Sequence, residues 1–170
     1  TASGKINRGI TLDGTGDYVL VTDSASLDLT SAITISAWVN MSSIATGNTV
    51  VSKHNTTTKS GYTLGYYPVD NKMYWQGADG ATWPSLNIAS AGTYTQTNKW
   101  LHLVGTFDGT TGYLYVDGAQ VGSDTSAALA TNNNNMFIGG NTDDAVGNFS
   151  GLIDEVRIYN RVLSAAEVKT

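Results

Sequence analysis

Apolar and polar residues alternate with period two along much of this chain, and a helical period is almost absent. Ile33, Ile35, Ala37 and Val39 fall on one side of an extended segment and Thr34, Ser36, Trp38 and Asn40 on the other. Leu101, Leu103 and Gly105 alternate in the same way with Trp100, His102 and Val104. A strand of this kind covers a core with one face. Asp117-Gly118 is a two-residue hairpin signal between apolar runs, because both residues tolerate the positive φ of a type I′ turn. Residues 14–16, 108–112 and 132–135 mark further turns. Turns every ~8 to 12 residues predict about a dozen strands, and two packed antiparallel sheets are the natural way to bury their apolar faces. The chain ends differently. An apolar run over 153–159 with Asp154 near its start predicts a last strand, and Ser164 stands three residues before Glu167, the spacing of a capping box, which predicts one short helical turn.

The sequence GLIDEVRIYNRVLSAAE over 151–167 resembles the closing signature of the laminin G-like domains of the concanavalin A-like lectin/glucanase superfamily. LDGTGDYV at 12–19 is similar to the family's opening strand and turn, ITISAWV at 33–39 to its second strand signature, and WLHLVGTFDG at 100–109 to its W-H-x-V-x-T-F-D-G segment. YLYVDG at 113–118 follows as the family's hairpin. Five ordered matches over nearly the whole chain imply an all-β, two-sheet antiparallel sandwich of jelly-roll type, a single domain over 1–170. The fold hosts many activities, so the resemblance alone does not select one.

Composition narrows the choice. The length of 170 residues suffices for one sandwich with its own core. With no cysteines, disulfides and thiol catalysis are both excluded. A formal charge of −5, with no basic run to neutralise successive phosphates, argues against nucleic acid. No apolar stretch approaches the ~18 residues of a membrane span, so no membrane insertion is expected. The polar start at Thr1 reads as a chain whose leader has been removed or as a module of a longer, multidomain protein. Few charges with many Thr, Ser, Asn and Gly, together with the resemblance, favour an extracellular or cell-surface location.

Residues 60–98 depart most from alternation. They carry Tyr62, Tyr66, Tyr67, Tyr74, Trp75, Trp83 and Tyr94 among Asp70, Asn71, Gln76, Asp79 and Asn87. Aromatic rings stack on the apolar faces of sugars while amides and carboxylates bond hydroxyls, so this segment is the candidate carbohydrate site. Tyr66, Tyr67, Trp75 and Trp83 are the expected ligand contacts, Trp83 foremost because Pro84 places it in a loop. Asn141 and Asp143, from the acidic loop 141–147, join them. The same aromatics also fit strands that fill a core. That loop lacks the spacing of an EF-hand and reads as a solvated turn rather than a metal site.

A metal site is expected elsewhere. The resemblance implies that first and last strands are neighbours and that a structural calcium joins the aspartate of the closing strand, Asp154 here, to oxygens near the start of the domain. Asp13 and Asp17, in the first glycine-rich turn, complete the expected set, and oxygen-only ligation suits Ca²⁺. The alternative is that Asp154 accepts backbone N–H groups and that Asp13 and Asp17 form Asx-turns. Catalysis is not expected. Glycosidases need two flanking carboxylates, yet there are only two glutamates, Glu155 in the closing strand and Glu167 in the cap, and the superfamily's glucanase motif is absent. His102 reads as a neutral strand histidine bonded to nearby backbone, and His54 as part of a polar Thr-rich turn. The expected function is therefore a non-catalytic, calcium-stabilised recognition module for glycans, with protein adhesion as the alternative and a hydrolase well behind.

Overall fold

A computed structural model describes residues 2–141 and 147–169. Among them are thirteen strands: β1 (Ala2–Ser3), β2 (Arg8–Asp13), β3 (Val19–Val21), β4 (Ile33–Met41), β5 (Asn48–Asn55), β6 (Ser60–Tyr67), β7 (Lys72–Asp79), β8 (Leu86–Ala89), β9 (Trp100–Phe107), β10 (Thr111–Val116), β11 (Ala119–Thr125), β12 (Met136–Ile138) and β13 (Ser150–Tyr159). Short 3₁₀ turns cover Ala25–Leu27 and Glu167–Lys169. The strands form a seven-stranded sheet, β1-β2-β13-β4-β9-β10-β11, and a six-stranded sheet, β3-β12-β5-β6-β7-β8. Every pairing is antiparallel, as expected for a jelly-roll sandwich.

Alternation decides what lies between the sheets. Ile33, Ile35, Ala37 and Val39 are all at most 1% exposed and meet Leu64, Trp75 and Ile88 from the other sheet in one apolar cluster. Removal of this surface from water is the main term holding the sheets together. Asp117 (φ 50°) and Gly118 (φ 76°) both sit at positive φ and turn β10 into β11, as the sequence requires. On the outer face of the seven-stranded sheet, Leu163 and Val168 pack on Val104 and Tyr115 as a second, smaller cluster. The Ser164–Glu167 box that caps this segment is reciprocal: Ser164 N donates to Glu167 Oε2 at 2.8 Å, and Glu167 N to Ser164 Oγ at 3.3 Å.

Two local expectations are corrected. Residue 54 lies in β5 rather than in a turn, and His54 is 4% exposed. His102 Nε2 is 2.8 Å from the Ser36 hydroxyl, so its ring partner is a side chain rather than backbone.

Candidate functional site on the six-stranded sheet

The one-residue pleat of β6 and β7 sorts the aromatics of 60–98 into two groups. Tyr62, Leu64 and Tyr66 point between the sheets from β6, and Met73 and Trp75 from β7. Trp75 is fully buried, and its indole N–H crosses the sandwich to donate to the Thr106 carbonyl at 3.0 Å. Its ring fills space left by a missing side chain, since a Cβ on Gly105 would lie 2.6 Å from Trp75 Cδ2. Tyr66 is 2% exposed and donates its hydroxyl to Asn71 Oδ1 at 2.8 Å. Trp75 and Tyr66 are core residues, which corrects their assignment as ligand contacts: both sit at inward positions of the pleat.

The alternate positions face outward. Tyr67 from β6 meets Tyr74 from β7 edge to face, with ring centroids 5.0 Å apart. Gln76, two residues beyond Tyr74, pairs in register with Asn87 of β8. The Gln76 amide donates to Asn87 Oδ1 at 2.8 Å and accepts the Tyr67 hydroxyl at 3.2 Å, so one amide ties three strands together. These four side chains, with Val69, Asp70 and Pro84, line a recess of about 260 Å³. That is just under the ~300–1,000 Å³ of sites for drug-sized ligands and suits a group of one or two rings.

Asp70 gives the recess its electrostatic character. Its Oδ2 accepts the Tyr74 hydroxyl in a short bond of 2.5 Å. Its Oδ1 is buried and has no hydrogen-bond donor. Burial, reinforced by the bond to Asp70, pushes the Tyr74 phenol up to about 12, so it remains a protonated donor at neutral pH. An acceptor without a donor is costly when buried.

Trp83 is half-buried and precedes Pro84 through a cis peptide bond. Its ring stacks on His54 at 4.6 Å and 14°, and His54 Nδ1 lies 2.8 Å from the Ser52 hydroxyl. Through Pro84 the Trp83 loop borders the recess, so Tyr67 and Trp83, of the four aromatics expected as ligand contacts, are the two on this face. Asn141 is half-buried, and Asp143 lies outside the described residues. Tyr74, Gln76, Asn87 and Asp70 were visible in the sequence as part of a polar-aromatic composition. What selects them is their outward position in the pleat.

The acidic set is not assembled. Asp13 pairs with Ser150 across β2 and β13. Asp154 lies four residues further along β13, about 13 Å away at the usual rise per residue. Asp13 Oδ1 instead accepts Thr15 N and Thr15 Oγ1 at 2.7 and 2.9 Å, which holds its carboxyl below the usual range, and Asp17 Oδ2 accepts Asp13 N at 3.4 Å. The Asp13–Thr15 contact is an Asx-turn, Asp17 bonds back to the start of the same turn, and the expectation that Asp13 and Asp17 converge with Asp154 is corrected. Among the described residues no three His, Cys, Asp or Glu side chains are grouped to hold a metal. Asp154 does face the start of the domain, through a different turn. Its Oδ2 accepts Ile6 N at 2.8 Å, its Oδ1 accepts Glu155 N at 2.8 Å, and a Cβ on Gly4 would lie 2.5 Å from Oδ2.

Comparison with known proteins places this geometry. Among curated proteins no sequence matches the chain. Domain 4 of AbnA, an extracellular GH43 arabinanase of Geobacillus stearothermophilus solved with arabinotriose, is 26% identical with a TM-score of 0.69, over 99% of this chain and 78% of that one. The CBM40 of a Ruminococcus gnavus IT-sialidase, solved with α2,3-sialyllactose, has a TM-score of 0.78 at 14% identity, with 95% of each chain covered. The binding domain of paraclostridial mosquitocidal protein 1 has a TM-score of 0.76 at 20% identity, and the present chain spans 44% of its length. The latter two likenesses show the shared fold. The laminin G-type family model of the concanavalin A-like lectin/glucanases superfamily matches residues 13–169, and the chain belongs to that family.

Proposed function

We propose that this domain is a non-catalytic glycan-binding module of a larger extracellular protein, and that it holds sugar at the recess on its six-stranded sheet. The observation that carries this is the recess itself: two aromatic rings, an amide ladder and the Asp70 carboxylate, gathered on an outer sheet face. Tyr67 and Tyr74 offer apolar surface to a sugar ring, and Gln76, Asn87 and Asp70 offer acceptors and donors for its hydroxyls. The solved complexes of similar folds with arabinotriose and sialyllactose support the ligand class. Binding is favoured over hydrolysis because Asp70 is the sole carboxylate among the described lining residues, whereas glycosidases set two across the scissile bond. Single sites of this size bind weakly, so several modules on one chain would supply avidity.

Calcium enters this reading at Asp154 alone. Asp13 and Asp17 do not fit an ion shared with it. Asp154 does, because a carboxylate has about four acceptor sites and backbone N–H groups take two of them. Gly4 keeps the chain open against the carboxylate, and backbone oxygens of the opening turn would complete an oxygen-only set.

Titration with arabinotriose and a panel of oligosaccharides, followed by calorimetry, tests the reading. Tyr74→Ala and Gln76→Ala should each weaken binding about tenfold or more, the loss of ~1.4 kcal/mol expected for a stacking or hydrogen-bonding contact. Folded protein that binds no glycan in the panel would sink the proposal.

A further inference from the structure

The outer face of the seven-stranded sheet holds a larger groove, of about 480 Å³, to which the recess makes no contribution. Its floor follows from register. Trp38 of β4 pairs with His102 of β9, and their rings stack at 4.9 Å and 21°. Trp100, two residues before His102, continues the same outward row, half-buried and without a ring partner among the described residues. One wall is the opening segment, where the Lys5 ammonium lies 4.3 Å from the Trp38 ring centroid. The other is the C-terminal segment at Leu163 and Val168.

We propose that this groove is a second saccharide site, on the sheet opposite the first, taking a neutral sugar ring against Trp100 and Trp38. The proposal rests on the carbohydrate reading above for its ligand class, and on this groove alone for its location. Charge balance favours a neutral ligand: the lining cations Lys5, Arg157 and Lys169 are matched by Asp117, Glu155 and Glu167, and Arg157 is already paired with Glu155. The His102 ring adds no charge at neutral pH, since burial pushes its pKa down, against the raising effect of Asp117. The polar groups on an aromatic floor suit hydroxyls around an apolar ring face. A peptide adding as an extra strand is disfavoured, because β4 and β9 are interior strands with both edges paired. Lys5 is exposed and flexible enough to swing off Trp38 as the ring enters. Two sites on opposite sheets would let one domain bridge two glycan chains.

The four tryptophans supply the test, because their indole N–H resonances report separate places: Trp75 the core, Trp83 the recess side, Trp38 and Trp100 the groove. Arabinotriose and α2,3-sialyllactose would each be titrated to about 10 mM, where a millimolar site is mostly filled. Shifts of Trp38 and Trp100 are expected with arabinotriose, the neutral sugar of the two, with Trp75 unmoved. Trp100→Ala should weaken the groove response at least tenfold while leaving Trp83 unchanged, and Trp100→Phe should restore part of it if the alanine variant folds poorly. Shifts at Trp83 alone would overturn the groove and leave the recess standing. Shifts at Trp38 and Trp100 alone would do the reverse, and silence at all three with both sugars would overturn both sites.

Discussion

Single residues in this fold often have partners that only the assembled sheets reveal. Lys53 is the clearest case. It is 1% exposed, and its ammonium donates to Asp23 Oδ1 at 2.6 Å and to the Asn132 and Asn134 carbonyls at 2.8 and 2.9 Å, with Asp28 Oδ1 at 3.4 Å. An ammonium thus sits in a cage made only of oxygens and ties β5 to segments 23–28 and 132–134. Lys53→Met would leave those oxygens facing an apolar chain. Breaking a buried pair this way costs about 3–5 kcal/mol, and because the two carboxylate side chains are 26% and 27% exposed, the lower end is expected. Urea denaturation measures it, and a loss below about 1 kcal/mol would show that water replaces the ammonium without cost. The sequence shows Lys53 beside His54 but not this cage, since Asp23 and Asn134 lie 30 and 81 positions away. The inward position of Trp75 is hidden for a related reason. Its aromatic character was legible, but the missing side chain at Gly105 that admits it belongs to the other sheet.

At the scale of elements, what repeats with a short period was legible and what depends on strand pairing was not. The alternation of β4 and β9, the Asp117-Gly118 turn and the Ser164–Glu167 box all follow from residues within a few positions of one another. The choice between Tyr66 and Tyr67, or Tyr74 and Trp75, turns on which side of the pleat faces inward. In a segment whose two faces are both aromatic, periodicity cannot decide this. The C-terminal element also yields a pH prediction. Glu167 accepts hydrogen bonds from Arg161 and from the Ser164 N–H and hydroxyl, which hold its carboxyl near 2 instead of 4.5. A depressed folded pKa means that the stabilisation is complete above about 4.5 and is lost as pH falls towards 2. Glu167 is exposed, so the effect on melting is small. At pH 6 Glu167→Gln should melt a few degrees below the native chain at most, and the gap should close between pH 4.5 and 2. An unchanged gap across that range would assign the cap's contribution to packing of Leu163 and Val168 instead.

For the whole molecule, the adjacency of the two chain ends was foreseen and the turn that meets Asp154 was not. β2 and β13 are neighbours, yet β2 carries a turn at each end. The glycine-rich turn at 14–16 follows its last residue, Asp13, opposite Ser150. The turn between β1 and β2 precedes its first residues and lies by Asp154. Six residues of strand separate the two turns, and nothing local in the sequence marks the two-residue β1 that creates the second one. This relocates the calcium expectation from a glycine-rich loop to the Gly4 turn and gives it a distinguishing test. If an ion joins Asp154 to that turn, millimolar calcium should raise the melting temperature relative to chelator, because a ligand at 100 times its dissociation constant adds about 2.7 kcal/mol to the folded state. For a chain of this length each kcal/mol is worth roughly 2–4 °C. Asp154→Asn should abolish the difference, as should Gly4→Ala, whose Cβ would lie 2.5 Å from the Asp154 carboxylate. Asp13→Asn and Asp17→Asn should keep it. Equal melting in calcium and chelator would leave Asp154 as an acceptor for Ile6 and Glu155 N–H alone, fixing the chain ends through hydrogen bonds, and the two proposed glycan sites would then stand on a scaffold that needs no ion.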